Sequence, residues 1–335
     1  MDTQQLRFTF TFVHACRERH SATSPFLLCC AVQLKANVEE MLEGLPPQFP
    51  HVAHERPVDE VALFIVSEWQ LMDSLLNEIR GTLTAVVSSL SDRHHHDAST
   101  MDSAVQCVYT ERVPEKWIRM SYPSLRPLGS WFADMVDRCT YLLSLKPDMP
   151  LPKLILLSRL ARVKAFTFAI AQLHARRNSW AIERVHMVPE VTNRSMAEIM
   201  APSRDGAYVA GVWLYGARFN QASGMLEEGV ISEELSPLSV IQLKAKLADE
   251  CVEQHIEQMP LVHASAGGIA SASFARLATS APCASSSAEH RTYHCPMYCT
   301  HARRGAIMIV PVQSTGSPIQ WLLSGVTMLL DPYLP

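Results

Sequence analysis

The chain has 335 residues, of which 48% are apolar and 19% are charged, and its net charge at pH 7 is −4. These values exclude a disordered or fibrous protein, and the small charge argues against nucleic-acid or anionic-membrane partners. No run of apolar residues approaches the ~18 that a membrane-spanning helix needs. Because single cores stop growing at about 250–300 residues, the length predicts about two domains.

The first 33 residues show no clear pattern and stay unassigned. Their segment LRFTFTFVHAC resembles a signal peptide only weakly, because a single Arg precedes about eight apolar-leaning residues. The nine cysteines are odd in number and scattered along the sequence. This usage favours reduced thiols in the cytosol over a disulfide framework.

A long amphipathic helix is predicted from Pro57 to Ser91. Its apolar residues recur at spacings of three and four, which places them on one face. Pro57 suits the first turn, and Gly81 leaves a bend or a break into two helices as an alternative. The polar run SDRHHHDAST at 91–100 predicts a loop. Its three adjacent histidines could bind a metal, but neighbours in sequence point apart on a helix, so we expect no metal site there.

The next segment, VPEKWIRMSYPSLRPLGSW at 113–131, predicts a rigid connector. Its prolines Pro123 and Pro127 fix φ and move the residues before them away from the helical region. Ser130 is predicted to cap the helix that follows, which Trp131 would anchor. Beyond a breaker-rich linker, the apolar spacing predicts a further helix over Lys153–Arg177.

After about residue 180 the pattern changes from helices to strands. Alternation predicts strands at 205–219, 239–243, 306–312 and 326–330, with a short helix opened by Ser317–Pro318. Pro311 favours an edge strand or a bulge there, and the turn before it is expected at 303–305. The fold class is therefore α+β, with a helical bundle portion first and a β-rich, partly barrel-like portion second. The Ser/Ala-rich stretch 263–288 predicts a disordered insert.

No motif in the sequence identifies a catalytic, cofactor-binding or metal-binding site. The P-loop, G-x-S-x-G, H-E-x-x-H and G-x-G-x-x-G patterns are all missing from it. One cluster, HRTYHCPMYCTHARRG, could supply zinc ligands from His290, His294, Cys295, Cys299 and His301. A second half-site normally lies a dozen or more residues away, and a Cys–His pair here has no third, orienting group. We therefore expect no catalytic, cofactor or metal residues, with a zinc site as the alternative.

Ordered segments of the sequence resemble the C-terminal region of dynein heavy chains. ANVEEMLEGLPPQF at 36–49 is similar to the end of the sixth AAA+ module of that family, and LPKLILLSRLARVKAFTFAIAQLHAR at 151–176 to a later helix pair. The connector, DGAYVAGVWLYGARF at 205–219, YHCPMYCTHARRG at 293–305 and the ending from Trp321 carry further matches. The matching positions that define the family signature are Tyr122, Pro123, Pro127, Gly129, Trp131, Gly206, Tyr208, Gly216, Arg218, Cys295, Pro296, Tyr298, Gly305, Trp321 and Gly325.

The resemblance implies a division of the sequence into modules. Residues 34–127 would be the helical end of the sixth AAA+ module, and 128–335 the C-terminal domain. That domain would be helical over 128–185 and β-rich over 186–335, with the insert at 263–288 inside it.

The resemblance also implies a function. The chain would be a structural and regulatory part of a microtubule-based motor, with the other AAA+ modules of a dynein heavy chain as partners. Dynein intermediate and light chains and microtubules would be reached only through a full-length motor. Its place would be the cytoplasm and cytoskeleton, including the axoneme of a cilium or flagellum. Because the nucleotide-binding modules and the stalk of the family lie upstream, we expect no enzyme activity and no microtubule site in these residues.

Two alternatives remain open at this point. One is a small cytosolic zinc protein or enzyme built on the cluster between His290 and His301. The other is a degenerate, non-functional dynein-like product, which the departures from the family pattern at 156–159 and 163–164 and the unmatched start would fit. The residues do not distinguish an axonemal from a cytoplasmic dynein.

Overall fold

The computed structural model describes residues 25–50, 59–91, 98–229, 234–248 and 291–334. The predicted insert at 263–288, His290 and most of the unassigned start lie outside these ranges. The protein forms two compact units. The first consists mainly of Met1–Glu55 and Ile65–Lys146, and the second of Arg56–Phe64 and Pro147–Leu334. The division at 127–128 concerns family modules and stays a prediction.

The first unit is helical. Its described residues form five helices in sequence order, and the start of the second helix belongs to the second unit. Their bounds are α1 (Pro25–Glu43), α2 (Glu60–Ser91), α3 (Ala98–Tyr109), α4 (Glu115–Met120) and α5 (Leu128–Ser144). In the part of the protein that the structure describes, no helix is both long enough and apolar enough to cross a membrane.

The long helix predicted from Pro57 is confirmed as α2, one uninterrupted helix of 32 residues. It begins later than predicted because Asp59 caps it, accepting a hydrogen bond from the Ala62 backbone N–H at 2.8 Å. Gly81 does not break it, since this position faces solvent and a Cβ there would meet nothing within 4 Å. The stripe spaced at three and four is the buried face: Met72, Leu76, Ile79, Leu83 and Val86 are all fully buried.

Two predictions in this unit are wrong in detail. The last three residues of the expected loop, from Ala98 to Thr100, are the start of α3. Ser130 does not cap α5: the helix begins at Leu128 after Pro127, and the Ser130 hydroxyl instead donates to the Pro127 carbonyl at 3.2 Å. Ser130 lies inside the first turn of the helix and not at the residue before it, and the Leu128 backbone N–H is paired with the Glu111 carbonyl at 2.9 Å. The helix therefore starts without a side-chain cap.

The second unit contains two further helices and eleven strands among its described residues. Its helices are α6 (Val163–Asn178) and α7 (Pro318–Leu323). Its strands are β1 (Ile155–Leu156), β2 (Val185–Val191), β3 (Gly206–Ala210), β4 (Trp213–Tyr215), β5 (Ala217–Asn220), β6 (Met225–Glu228), β7 (Leu235–Pro237), β8 (Ile241–Leu247), β9 (Arg291–Tyr298), β10 (Met308–Ser314) and β11 (Thr327–Leu329).

The helix predicted over Lys153–Arg177 is only partly correct, because α6 starts at Val163. The preceding residues form β1, which pairs in parallel with β3 through Ile155 and Val209, and then a short 3₁₀ turn. Ile155 and Leu157 are buried in these positions. Their burial is achieved by pairing with a strand some fifty residues away, which helical spacing does not reveal.

The strands form two sheets. A four-stranded sheet has the order β1-β3-β8-β2, and a seven-stranded sheet has the order β5-β6-β10-β9-β11-β4-β7. The outer strands of the larger sheet approach each other, since the Ser236 hydroxyl of β7 donates to the Ala217 carbonyl of β5 at 2.8 Å. The larger sheet is thus nearly closed. Helices first and a partly barrel-like β region second confirm the predicted fold class.

The segment predicted as one alternating stretch at 205–219 is divided between the sheets. Gly216 has φ +75° and separates β4 from β5, a conformation that favours glycine. Gly206 opens β3, where a Cβ would lie 1.7 Å from the Leu243 carbonyl oxygen. Only glycine allows β3 to pair this closely with β8.

Candidate functional site

A recess of about 280 Å³ opens on the seven-stranded sheet of the second unit. It lies between β9, the turn that follows β9, and the end of α7 with the start of β11. Four predicted signature residues line it, namely Pro296, Tyr298, Gly305 and Gly325. These positions come from separate parts of the sequence, and the register of the sheet brings them together.

The walls of the recess are held by hydrogen bonds between neighbouring strands. The Tyr293 hydroxyl donates to the Val326 carbonyl at 2.7 Å, and the Leu330 backbone N–H donates to the Tyr298 carbonyl at 3.0 Å. β9 and β11 pair in parallel through Met328 and Met297, both fully buried. The recess is therefore part of a rigid sheet.

Arg303 lies at the rim, on a turn that confirms the one predicted at 303–305. Its backbone N–H donates to the Thr300 carbonyl at 3.0 Å, and its φ of +52° is unusual for a residue with a Cβ. Its guanidinium carbon lies 5.2 Å from the centre of the Tyr215 ring, which also contacts His301 with ring centres 5.1 Å apart. These contacts hold the guanidinium beside the recess.

Two polar groups of the recess lack partners within the described residues. Arg303 makes no ion pair there, and the Thr327 hydroxyl oxygen is buried with no hydrogen-bond partner. Thr327 is only 5% exposed. Leaving a buried hydroxyl unpaired costs about 1–3 kcal/mol. Arg303 is therefore available to a ligand, whereas the Thr327 hydroxyl oxygen is covered by the protein.

The phenols and the thiol around the recess are neutral at pH 7. Burial raises the pKa of the Tyr293 and Tyr298 phenols, while the Arg303 charge opposes the rise. Burial also raises the pKa of the Cys295 thiol well above its usual value. Since thiolate is the nucleophilic form of cysteine, this thiol is not an activated nucleophile. The geometry therefore supports binding through hydrogen bonds and charge.

The zinc ligands predicted as an alternative do not converge in the described part of the protein. Cys295 is buried and His294 exposed at successive positions of β9, so their side chains point to opposite faces. His301 contacts Tyr215, and His290 lies outside the described residues. Nowhere among the residues described do three His, Cys, Asp or Glu side chains lie close enough to hold a metal.

The signature residues of the connector lie in the first unit, in an aromatic stack. The Trp131 ring stacks on Trp117 with centres 5.8 Å apart and on Tyr122 at 6.3 Å. The Arg138 guanidinium covers Tyr122 at 3.7 Å, and its Nε donates to Asp134 at 2.7 Å. Sequence reasoning missed Asp134 and Arg138, although their i, i+4 spacing on a helix is a recognisable signal. Pro123 and Pro127 are exposed, and Gly129 lies in the first turn of α5.

The remaining signature residues have structural surroundings. Arg218 pairs across β5 and β6 with Glu227 at 3.4 Å, and Tyr208 is half-buried on β3. The Trp321 indole N–H donates to the Ser314 hydroxyl at 3.0 Å, which anchors α7. The role of all these positions as a family signature stays a prediction.

A family model for the C-terminal domain of the dynein heavy chain matches residues 17–266. The protein belongs to this family. The match runs across the predicted division at residue 127 and ends upstream of the recess. The predicted resemblance to the C-terminal region of dynein heavy chains is therefore confirmed.

Individual relatives agree with this assignment. The sequence is 27% identical over 304 residues to the dynein beta chain of the flagellar outer arm of Chlamydomonas reinhardtii, covering 89% of this chain and 6% of the relative. It is 28% identical over 232 residues to dynein axonemal heavy chain 17 of Mus musculus, covering 68% and 5%. It is 26% identical over 304 residues to dynein axonemal heavy chain 9 of Homo sapiens, covering 89% and 6%. These names agree with the expected place in the cytoskeleton and the axoneme.

The expectation that the chain is not an enzyme is corrected by the same comparison. It was based on the missing P-loop in these residues, but the relatives are dynein heavy chains, which are ATPases. The chain spans about 6% of the length of the flagellar outer arm relative. Motifs within so short a stretch do not decide whether the protein is an enzyme.

Proposed function

We propose that this chain is a structural and regulatory part of a dynein heavy chain, which packs against AAA+ modules of the motor and modulates their output. The family match over residues 17–266 carries the proposal. The names of the relatives, which are flagellar and axonemal dyneins, support a place in an axoneme. Intermediate chains, light chains and microtubules are then partners of the whole motor.

The first unit offers a surface suited to such packing. Ile118 on α4 is 53% exposed, and Leu125 on the connector is 39% exposed. Beneath them, the stack of Trp117, Trp131 and Tyr122 is buried and holds the connector in place. Exposed apolar side chains on a rigid base are typical of surfaces that contact another protein module.

A chimeric motor tests the proposal. The matching region of the Chlamydomonas reinhardtii outer arm beta chain is replaced by this chain, and microtubule gliding velocity and ATPase rate are measured. We expect the chimera to assemble and move, and deletion of the region to change both rates several-fold, as typical for coupling between modules. A deletion motor with the velocity and ATPase rate of the intact one would contradict the proposal.

Surface variants refine this test. Ile118→Asp and Leu125→Asp together should change gliding velocity in the direction of the deletion, because they place charge on the proposed packing surface. Lys146→Asp, at an exposed polar position of the same unit, serves as the control and should leave velocity unchanged. Circular dichroism of the isolated protein checks that the variants fold.

A further inference from the structure

The recess of the second unit combines an unpaired cation with an unpaired hydroxyl. The Arg303 guanidinium is held at the rim by the Tyr215 ring, and the Thr327 hydroxyl oxygen is buried without a partner among the described residues. Of the described residues that line the recess, none is acidic. A guanidinium presents a planar fork of donors that matches a carboxylate. The complementary ligand group is therefore a carboxylate.

An apolar stripe borders the same recess. Leu322 of α7 lines it and is 37% exposed, while Ile319 and Leu323 of the same helix are 51% and 81% exposed. Their spacing of three and four places Ile319, Leu322 and Leu323 on one side of the helix. Trp321, buried and bonded to Ser314, fixes the helix to the sheet. The ligand that fits this rim carries apolar side chains next to its carboxylate.

The size of the recess and the apolar stripe beside it favour a protein segment as the ligand. Its volume of about 280 Å³ lies at the small end of the roughly 300–1,000 Å³ of small-molecule sites. A free inorganic anion would leave the apolar stripe uncovered. An acidic side chain with apolar neighbours in the sequence would place its carboxylate at Arg303 and cover the stripe.

We propose that this recess docks a segment of a protein partner that presents a carboxylate flanked by apolar side chains. Arg303 pairs with the carboxylate, and Leu322 with its neighbours on α7 covers the flanking side chains. Such docking does not depend on the proposed place of the chain in a motor, since the recess lies wholly within the second unit.

Peptide titration against the full-length protein tests this docking. The probe is a blocked pentapeptide Ser-Leu-Glu-Leu-Ser, compared with its Ser-Leu-Gln-Leu-Ser counterpart by isothermal titration calorimetry. We expect the Glu peptide to bind about tenfold more tightly, the typical effect of one charge-assisted hydrogen bond. Equal binding of the two peptides, or no binding of either at millimolar concentration, overturns the proposal.

Matched variants locate the binding. Arg303→Met should remove the preference for the Glu peptide, and Arg303→Lys should restore part of it, because Lys keeps the charge but not the fork. Arg304→Met removes the same charge one residue away, at an exposed position that does not line the recess, and should leave binding unchanged. If Arg304→Met weakens binding as much as Arg303→Met, the peptide senses general charge and the proposal fails.

Two further measurements test the apolar rim and the chemical class of the ligand. Leu322→Ser should weaken the Glu peptide several-fold, and sodium phosphate at the same concentration should not compete. Competition by phosphate at least as strong as by the Glu peptide would identify a free-anion site and overturn the docking role. If Arg303→Met does not fold, two measurements still test the docking proposal. They are the comparison of the two peptides on the unchanged protein and the binding of the Glu peptide to Leu322→Ser.

Discussion

An arginine lies over a tyrosine ring in each unit, but the two pairs have opposite surroundings. In the first unit, Arg138 lies 3.7 Å from the Tyr122 ring centre and its Nε donates to Asp134, with both charged side chains about nine-tenths buried. In the second unit, Arg303 lies 5.2 Å from the Tyr215 ring centre and has no ion pair within the described residues. The first pair is closed, and the second is open.

The difference follows from the cost of burying charge. A buried guanidinium needs a carboxylate close by, because removal from water costs several kcal/mol that only good pairing offsets. Asp134 meets this need for Arg138 and is also hydrogen-bonded to Tyr122. Burial raises the pKa of the Tyr122 phenol, the Arg138 charge opposes the rise, and the Asp134 charge adds to it. A guanidinium at the rim of a recess stays solvated and needs no internal partner. The two charges of the first pair therefore satisfy each other inside the fold, whereas the Arg303 guanidinium is free to bind a ligand.

The largest effect on stability is expected from Trp131→Ala in the aromatic stack beside Arg138. Trp131 is 1% exposed and lies between Trp117 and Tyr122. Its truncation should lower the free energy of unfolding by about 3–5 kcal/mol, the usual cost for a buried aromatic. Urea denaturation measures it, with exposed Ile118→Ala as the control. A loss below about 1 kcal/mol would show that the stack is not part of the core.

Asp134→Ala should have the next largest effect. It leaves the buried Arg138 charge unpaired, which should cost about 3 kcal/mol in the free energy of unfolding. The double variant Asp134→Leu with Arg138→Met removes both charges and should recover most of that loss. If the double variant is as unstable as the single one, lost packing and not an unpaired charge explains the result. The Asp134–Arg138 pair would then not be needed to neutralise a buried charge.

Alkaline pH should weaken the same region through Cys139. Burial raises the pKa of this thiol from 9.0 to about 12, so the unfolded state releases its proton first as pH rises. The stability from the neutral thiol is thus present below pH 9 and declines between pH 9 and 12. At pH 11 the loss should be about 2–3 kcal/mol, since one pKa unit is worth about 1.4 kcal/mol. Urea denaturation at pH 8 and pH 11 measures it.

Cysteine variants separate this thiol from the others. In Cys139→Ala the decline between pH 8 and pH 11 should be smaller than in the unchanged protein. Cys107→Ala, at a half-buried cysteine of the same unit, is the matched control and should leave the decline as it is. An identical decline in all three proteins would mean that other groups limit alkaline stability.

Periodicity predicted the elements whose contacts are local. The apolar stripe of α2 specified a helix because its spacing matches one turn, and the alternation at 306–312 specified most of β10. The helix expected from Lys153 failed in its first ten residues. Ile155 and Leu156 lie inside the predicted helix, yet they pair with Val209 and Ala210, a distant segment that no local pattern reveals. Pairing between distant segments overrides local preference in this way.

The sequence predicted only some of the residues that line the recess. Tyr298, Gly305 and Gly325 were selected as family positions, but nothing local indicated that they face one space. Their meeting depends on the register of β9 with β11. Arg303 was predicted as part of a turn and not as a binding group. Thr327 had no signal at all, because an unpaired hydroxyl is a property of packing and not of residue type.

The smallest effect is expected from Thr327→Val in the second unit. This change replaces the unpaired hydroxyl by a methyl group of similar shape, so it should raise the free energy of unfolding by about 1 kcal/mol. Ser236→Ala is the matched control, because the Ser236 hydroxyl is also buried but donates to the Ala217 carbonyl, and its loss should lower stability by about the same amount. A loss of stability in Thr327→Val equal to that of Ser236→Ala would mean that the hydroxyl is already paired, and the recess would then be as closed as the cluster around Arg138.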